Sequence, residues 1–303
     1  MPTMPRFSLA TALLTVIPSA VKAADGHEGN DADAWAFLPA TMPSPLSDMS
    51  VSHLTVGGGG VDGEAIDVDA KKRIIITGGC DDPEGNKLGE DGYFSCPSLS
   101  NKAYAFDPIR HGTFQAWTGE FETLPDMPRA RARHASVVVN GNVCVFGGRD
   151  ATDELVAEVD CYDPIAKEWT EVTSLPVKYQ SSDHTAYATE DNKVYLIGGY
   201  DVGYSALDQM TVMDMSDFSA IAYSDGPKLN EKRGDIDAAI LDGVVYVSGG
   251  FTHEDEWSKP KNSVEKYNIE TGSWSDVNSL NKERGDKQLV AIGGEGDAPG
   301  GEK

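Results

Sequence analysis

The chain has 303 residues, 32 of them glycine, with 40% hydrophobic residues and a formal net charge of −24. That much apolar content supports a folded core, and the glycine supply points to a chain rich in turns rather than to a disordered one. The charge argues against nucleic acid or an anionic membrane as partner, since either would repel the chain; it suits a solvated surface, or cationic and divalent-ion partners.

Residues 1–23, MPTMPRFSLATALLTVIPSAVKA, place Arg6 before an apolar stretch from Leu9 to Ile17 and end in Val21-Lys22-Ala23. A short basic start, an apolar middle and a small-residue end are the pattern of a secretory signal peptide, and Pro18 cuts the apolar run too short for a membrane span. Residues 24–34 read as an acidic flexible leader. The expectation is a secreted, extracellular chain with no membrane span. Residues 35–50, with Trp35, Leu38-Pro39 and Met42-Pro43, look like the tail of a repeat standing ahead of the first repeat. In a ring such a strand completes the last unit and removes exposed sheet edges, so 35–50 is expected to close the ring.

From there one unit recurs. Diglycines end apolar runs at Gly78-Gly79, Gly147-Gly148, Gly198-Gly199 and Gly249-Gly250, and two consecutive gaps between them are each 51 residues. A period of this length sets the architecture. Each unit holds four short apolar or alternating runs parted by turns such as Asn140-Gly141 and Asp242-Gly243. That pattern predicts four antiparallel strands in tight hairpins, a propeller blade. The blades are expected at about 64–128, 133–180, 184–231 and 235–282, with a partial one at 284–303. The last is anomalous: Arg233-Gly234-Asp235 begins sixteen residues before its diglycine, but Arg284-Gly285-Asp286 begins only nine before Gly293. One strand fits there where two are needed. A truncated or misspliced reading frame, or an open blade filled by a partner chain, is the expectation.

Four cysteines in an oxidising compartment suggest disulfides. Cys144 and Cys161 fall on the second and third strands of one unit, which are neighbours, so they are expected to pair; Cys80–Cys96 then ties off a long loop. A zinc site lacks its C-x₂-C spacing.

The diglycine closing strand two, Tyr162-Asp163-Pro164 on strand three and Trp169 on strand four resemble the Kelch motif, as do Tyr267 and Trp274 in the fourth unit. The resemblance runs from Glu64 to Leu280 and implies an all-β, Kelch-type β-propeller of four full four-stranded blades plus a partial blade. The motif residues are then structural: the glycines permit strained backbone and close approach, and the aromatic rings fill the space between sheets. The resemblance also implies that partners bind on the face carrying the loops after strand two and those leading into strand one. On that face stand Glu64, Arg133, His184 and Asp235, each fourteen residues before a diglycine, and Arg149, Tyr200 and Phe251, each directly after one. The alternative role for these residues is hydrogen bonding between blades.

The function expected is a secreted module that binds protein or glycan through this face. Two alternatives stand beside it. One is a carbohydrate-active enzyme on the same scaffold: a copper radical oxidase, which needs a Cys beside a Tyr as at Cys161-Tyr162, or a sugar epimerase. The other is a truncated product without independent function. The chain has no G-x-S-x-G and no H-E-x-x-H, so no catalytic residue, metal or cofactor is assigned. The acidic loop with Asp81, Asp82, Glu84, Asn86, Glu90 and Asp91, and the stretch His253 to Trp257, offer oxygen ligands for weak calcium binding without the EF-hand spacing. The two Arg-Gly-Asp tripeptides occupy equivalent blade positions and read as turns.

Overall fold

A computed structural model describes residues 41–56, 71–82, 87–88, 94–111, 116–252 and 260–289. The expected signal peptide, the leader, Glu64, most of the acidic loop and His253 to Trp257 lie outside the described residues. No helix among the described residues is long and apolar enough to cross a membrane.

The strands run in chain order. Blade one has β1 (Ser50–Val56) and β2 (Lys71–Thr77), then a small hairpin of β3 (Lys87–Leu88) and β4 (Phe94–Ser95), then β5 (Ala103–His111) and β6 (Ala116–Thr123). Blade two has β7 (Ala135–Val139), β8 (Asn142–Phe146), β9 (Glu158–Asp163) and β10 (Glu168–Ser174). Blade three has β11 (Thr185–Ala188), β12 (Lys193–Ile197), β13 (Met210–Asp214) and β14 (Ala222–Asp225). Blade four has β15 (Asp237–Leu241), β16 (Val244–Ser248), β17 (Val264–Asn268) and β18 (Ser273–Val277). Each blade is one four-stranded antiparallel meander, and the innermost strands pack in order, β1 on β7, β7 on β11 and β11 on β15. The four expected blades of a β-propeller are therefore present.

The core lies between neighbouring sheets. Leu54, Ile75 and Ala105 of blade one face Val143 and Tyr162 of blade two. Cys144 and Phe146 of blade two face Val194, Leu196 and Met213 of blade three. Ile197 and Met210 of blade three face Val245, Val247 and Tyr267 of blade four. The Tyr–Trp pairs sit directly opposite each other in the register of strands three and four, with ring centroids 5.4 Å apart for Tyr162–Trp169 and 5.2 Å for Tyr267–Trp274. Each indole also donates across to the preceding blade, Trp169 Nε1 to the Pro125 carbonyl at 2.8 Å and Trp274 Nε1 to the Pro227 carbonyl at 2.9 Å.

The diglycines have left-handed backbone in all four blades, for example +58° and +84° at Gly147 and Gly148. Their two members meet different neighbours. A Cβ on Gly147 would strike the Ser181 carbonyl of the next blade; one on Gly148 would strike the Ala132 carbonyl of its own blade at 2.5 Å. The Gly148 N–H donates to that same Ser181 carbonyl at 3.0 Å, and Gly79, Gly199 and Gly250 repeat the bond to Arg131, Arg233 and Arg284. The motif glycines thus join blade to blade through backbone.

Both expected disulfides are formed, Cys80–Cys96 and Cys144–Cys161. Cys144 and Cys161 lie directly opposite each other on β8 and β9.

Two boundaries differ from expectation. Blade one takes its innermost strand from Ser50–Val56 rather than from residues after Glu64, because a long connection, 57–70, separates its first two strands. The closing strand expected at 35–50 lies outside the described residues over 35–40. Over 41–49, Ser47 pairs with Cys80 of blade one, and Ser50 opens β1. This segment is the lead-in to the first blade. At the other end, Arg284–Leu289 forms the matching lead-in beyond blade four, where the Arg284 carbonyl accepts from Gly250 and the Leu289 N–H donates to Asp237.

Candidate functional site

The residue two positions ahead of each innermost strand is left-handed, Asp48 (φ 52°), Arg133 (59°), Asp183 (55°) and Asp235 (52°), and so is Asp286 (46°) in the lead-in beyond blade four. Aspartate tolerates this conformation better than most residues, since its short polar side chain bonds locally. Three backbone hydrogen bonds chain these positions across the blades. Arg133 N–H donates to the Asp48 carbonyl at 2.9 Å, Asp183 N–H to Arg133 at 2.8 Å, and Asp235 N–H to Asp183 at 3.0 Å. The result is an arc of four linked residues that, with Asp286 beyond it, lines one cavity of about 770 Å³ running along the innermost strands.

The rim carries four carboxylates. The Arg133 Nε lies 3.8 Å from Asp183 and 4.0 Å from Asp48, and its Nη1 donates to the Tyr204 hydroxyl at 3.4 Å. The Tyr200 hydroxyl donates to Asp235 at 2.8 Å. Lys287, the next cation, turns away to the Ser248 carbonyl below the rim. Burial pushes the Asp183 and Asp235 carboxyls above their usual range, Asp235 furthest, since Asp183 and Asp286 add like charge beside it; Asp286, although exposed at its outer edge, is raised in the same direction by partial desolvation. Asp183 Oδ2 is buried with no hydrogen-bond partner, on a side chain only 8% exposed.

Of the residues expected on this face, Arg133, His184 and Asp235 line the cavity, and their company is partly different from that expected. Asp183, not His184, is the counterpart of Arg133 and Asp235. The β11–β12 hairpin bends over three residues, with Thr189 N–H donating to the Lys193 carbonyl, where β7–β8 bends over two. That extra residue shifts the count by one. His184 matches His134 instead, and both are buried under the preceding blade's first diglycine residue: a Cβ on Gly78 or Gly147 would lie 2.8 or 2.7 Å from the imidazole Cε1. Burial holds His184 down to about 4, so both rings are neutral packing groups.

The residues after the diglycines are wedges between blades. Arg149, 3% exposed, donates to Ser182 Oγ at 3.0 Å and to the Asp153 and Asp201 carbonyls, each at 2.7 Å, and lies 3.6 Å over the Tyr204 ring. Tyr200, 1% exposed, lies against Gly234, and the half-buried Phe251 against Gly285, which is why glycine stands in both Arg-Gly-Asp tripeptides. Arg149 and Tyr200, both expected on the loop face, are buried between blades.

Sequence reading missed Asp48, Asp183 and Asp286. The repeated Arg-Gly-Asp was the available signal, since it marks the same lead-in twice. The arginine of the first tripeptide is a staple, whereas Arg284 is exposed: Arg233, wholly buried, donates to the Gly249 carbonyl at 2.9 Å and pairs with Glu265 at 2.7 Å. Arg131 repeats this in blade two with the Gly147 carbonyl and Asp160. The Cys161 sulfur is committed to Cys144, which removes the atom that a Tyr–Cys crosslink at Tyr162 requires.

The KLHDC2/KLHL20/DRC7 Kelch-repeats domain family matches residues 63–293. Kelch-like protein 40 of Xenopus laevis is 26% identical over 180 residues, 59% of this chain and 27% of its own. Beta-scruin of Limulus polyphemus is 30% identical over 129 residues, 38% of this chain and 14% of its own. The chain spans a third or less of the length of the curated relatives it matches. In shape it is similar to the solved structure of YjhT, with a TM-score of 0.56 and 13% identity over 84% of this chain and 89% of that one, a likeness of fold.

Proposed function

The chain belongs to the Kelch-repeat family, and we propose that it is a protein-binding module that works outside the cytosol through the lead-in face of its propeller. The observation that carries the reading is the set of five left-handed lead-in residues, four of them joined by backbone hydrogen bonds, all opening onto a single cavity. A rigid scaffold that projects side chains of mixed charge into one concave mouth suits recognition of a partner's exposed segment. Secretion is supported by the pattern of residues 1–23 and by the bonding of all four cysteines in pairs.

The test starts with the full chain expressed in a secreting eukaryotic host and collected from the medium. A mature amino terminus at Ala24 and no alkylatable thiol are expected; retention of the chain inside the cell with reactive thiols overturns the extracellular part. The collected protein is then panned against a displayed peptide library and a glycan array. Expected are peptides whose binding is lost with substitutions at Arg133 and Asp183 but kept with Asp191→Asn at the opposite end of the blades. Glycan ligands alone, or peptides indifferent to the mouth, overturn the protein-binding part.

A further inference from the structure

The rim of the cavity carries more negative charge than its own cations answer, and one of its carboxylates, Asp183, is set deep in the wall. Four aspartates, Asp48, Asp183, Asp235 and Asp286, face one guanidinium, that of Arg133, which leans toward Asp48 and Asp183. The other cation on the cavity wall, Lys287, donates to the Ser248 carbonyl and offsets part of the charge of Asp286 and Asp235, leaving Asp183, among the described residues, to Arg133 alone. A carboxylate oxygen withdrawn from water without a donor is costly, and Asp183 Oδ2 is in that state on a side chain 8% exposed. Folds hold such groups where a ligand supplies the missing partner.

We propose that the mouth takes a guanidinium or alkylammonium side chain from a basic segment of a partner protein, with Asp183 and Asp235 as its acceptors. The inference rests on the reading of this face as a protein-binding surface and names the chemistry it selects. An extended organic cation fits better than a metal ion. The aspartates come from separate lead-ins, with Asp235 hydrogen-bonded between Asp183 and Asp286, and among the described residues no three His, Cys, Asp or Glu side chains are grouped to hold a metal. A guanidinium spans such a spread with several directed N–H donors. The cavity, about 770 Å³, is within the size of ordinary ligand clefts, and below the rim it is lined by Ser50, Ser136 and Thr185, which tolerate a solvated stem. The chain's net charge of −24 steers a basic segment toward it.

The experiment uses the full chain and three fluorescent hexapeptides in a Gly-Ser frame, with arginine, citrulline or glutamate at the centre. Citrulline keeps the shape of arginine and removes its charge. The arginine peptide is expected to bind at least about tenfold more tightly than the citrulline peptide, the fold-change that corresponds to about 1.4 kcal/mol. Asp183→Asn with Asp235→Asn is expected to abolish that preference, and Asp191→Asn at the far hairpin to leave it intact. Asparagine suits the left-handed backbone, and a urea melt of the double variant establishes that it folds. Three results overturn the inference: equal binding of the arginine and citrulline peptides; an arginine preference that survives the double substitution, which is bulk attraction to an acidic chain; and calcium chloride binding that needs both aspartates while the arginine peptide shows none. If the panned peptides are acidic or neutral yet still depend on the mouth, the cation inference fails while the binding face stands.

Discussion

At the scale of single residues, the glycines divide into two kinds that the sequence does not tell apart. Gly141 turns the β7–β8 hairpin at φ +74° with nothing within 4 Å of a Cβ position. Gly147 has a similar φ of +58°, but a Cβ there would enter the Ser181 carbonyl and lie 2.7 Å from the His184 ring. A left-handed L-residue costs about 1–2 kcal/mol in either place, and only Gly147 adds an overlap with backbone that cannot move without parting two blades. Gly141→Ala is therefore expected to lower stability by about 1 kcal/mol and Gly147→Ala by roughly 3 kcal/mol or more. Urea midpoints of the two variants compare them directly; equal losses would mean that diglycine conformation matters and blade-to-blade contact does not.

At the scale of the element, each blade is tied to its lead-in by a buried group, and the blades use different chemistry for it. In blade two, Arg131 reaches Asp160 at 2.6 Å and the Glu158 carbonyl at 3.0 Å; blade four repeats this with Arg233 and Glu265. In blade three Ser181 and Thr211 stand at the matching positions, both buried, so the fold accepts a neutral pair there. Asp160 has a second cation, Arg129, at 2.5 Å, and among the described residues Arg131 has no second carboxylate in contact. Removing the acid strands a wholly buried guanidinium, while removing Arg131 leaves Asp160 still paired. Asp160→Val is expected to lose about 3–5 kcal/mol and Arg131→Met distinctly less, an order that thermal melts would reverse if the two charges were equivalent. The blade count, the Tyr–Trp pairs and both disulfides were legible in the sequence because each depends on spacing within a strand or between adjacent strands. The composition of the rim was only half legible. It depends on loop lengths, and one extra hairpin residue hid Asp183 behind His184 just as the 57–70 connection hid Asp48 behind Glu64.

At the scale of the whole molecule, the mouth works against the fold that carries it. The carboxyls of Asp183, Asp235 and Asp286 bind protons more tightly when folded than the ordinary carboxylate near 4, mainly through burial. Between that ordinary value and the raised one, the folded chain holds protons that the unfolded chain has released. Stability therefore falls as pH rises through the folded values, and above them the ionised cluster opposes folding. Replacing one member by its neutral isostere should then stabilise the protein, the opposite of what most buried substitutions do. Asp235→Asn keeps the left-handed backbone and an acceptor for Tyr200, and it removes the charge that both Asp183 and Asp286 resist. A gain of roughly 0.5–2 kcal/mol is expected at pH 7.5, the usual size when strain at a working site is relieved, fading as pH falls below the ordinary carboxylate value because the carboxyl is then protonated in both states. Urea unfolding of the two proteins across that range measures it. A loss of stability at neutral pH would mean that the ionised Asp235 is held by favourable partners, and the mouth would then have no surplus charge to offer a cation.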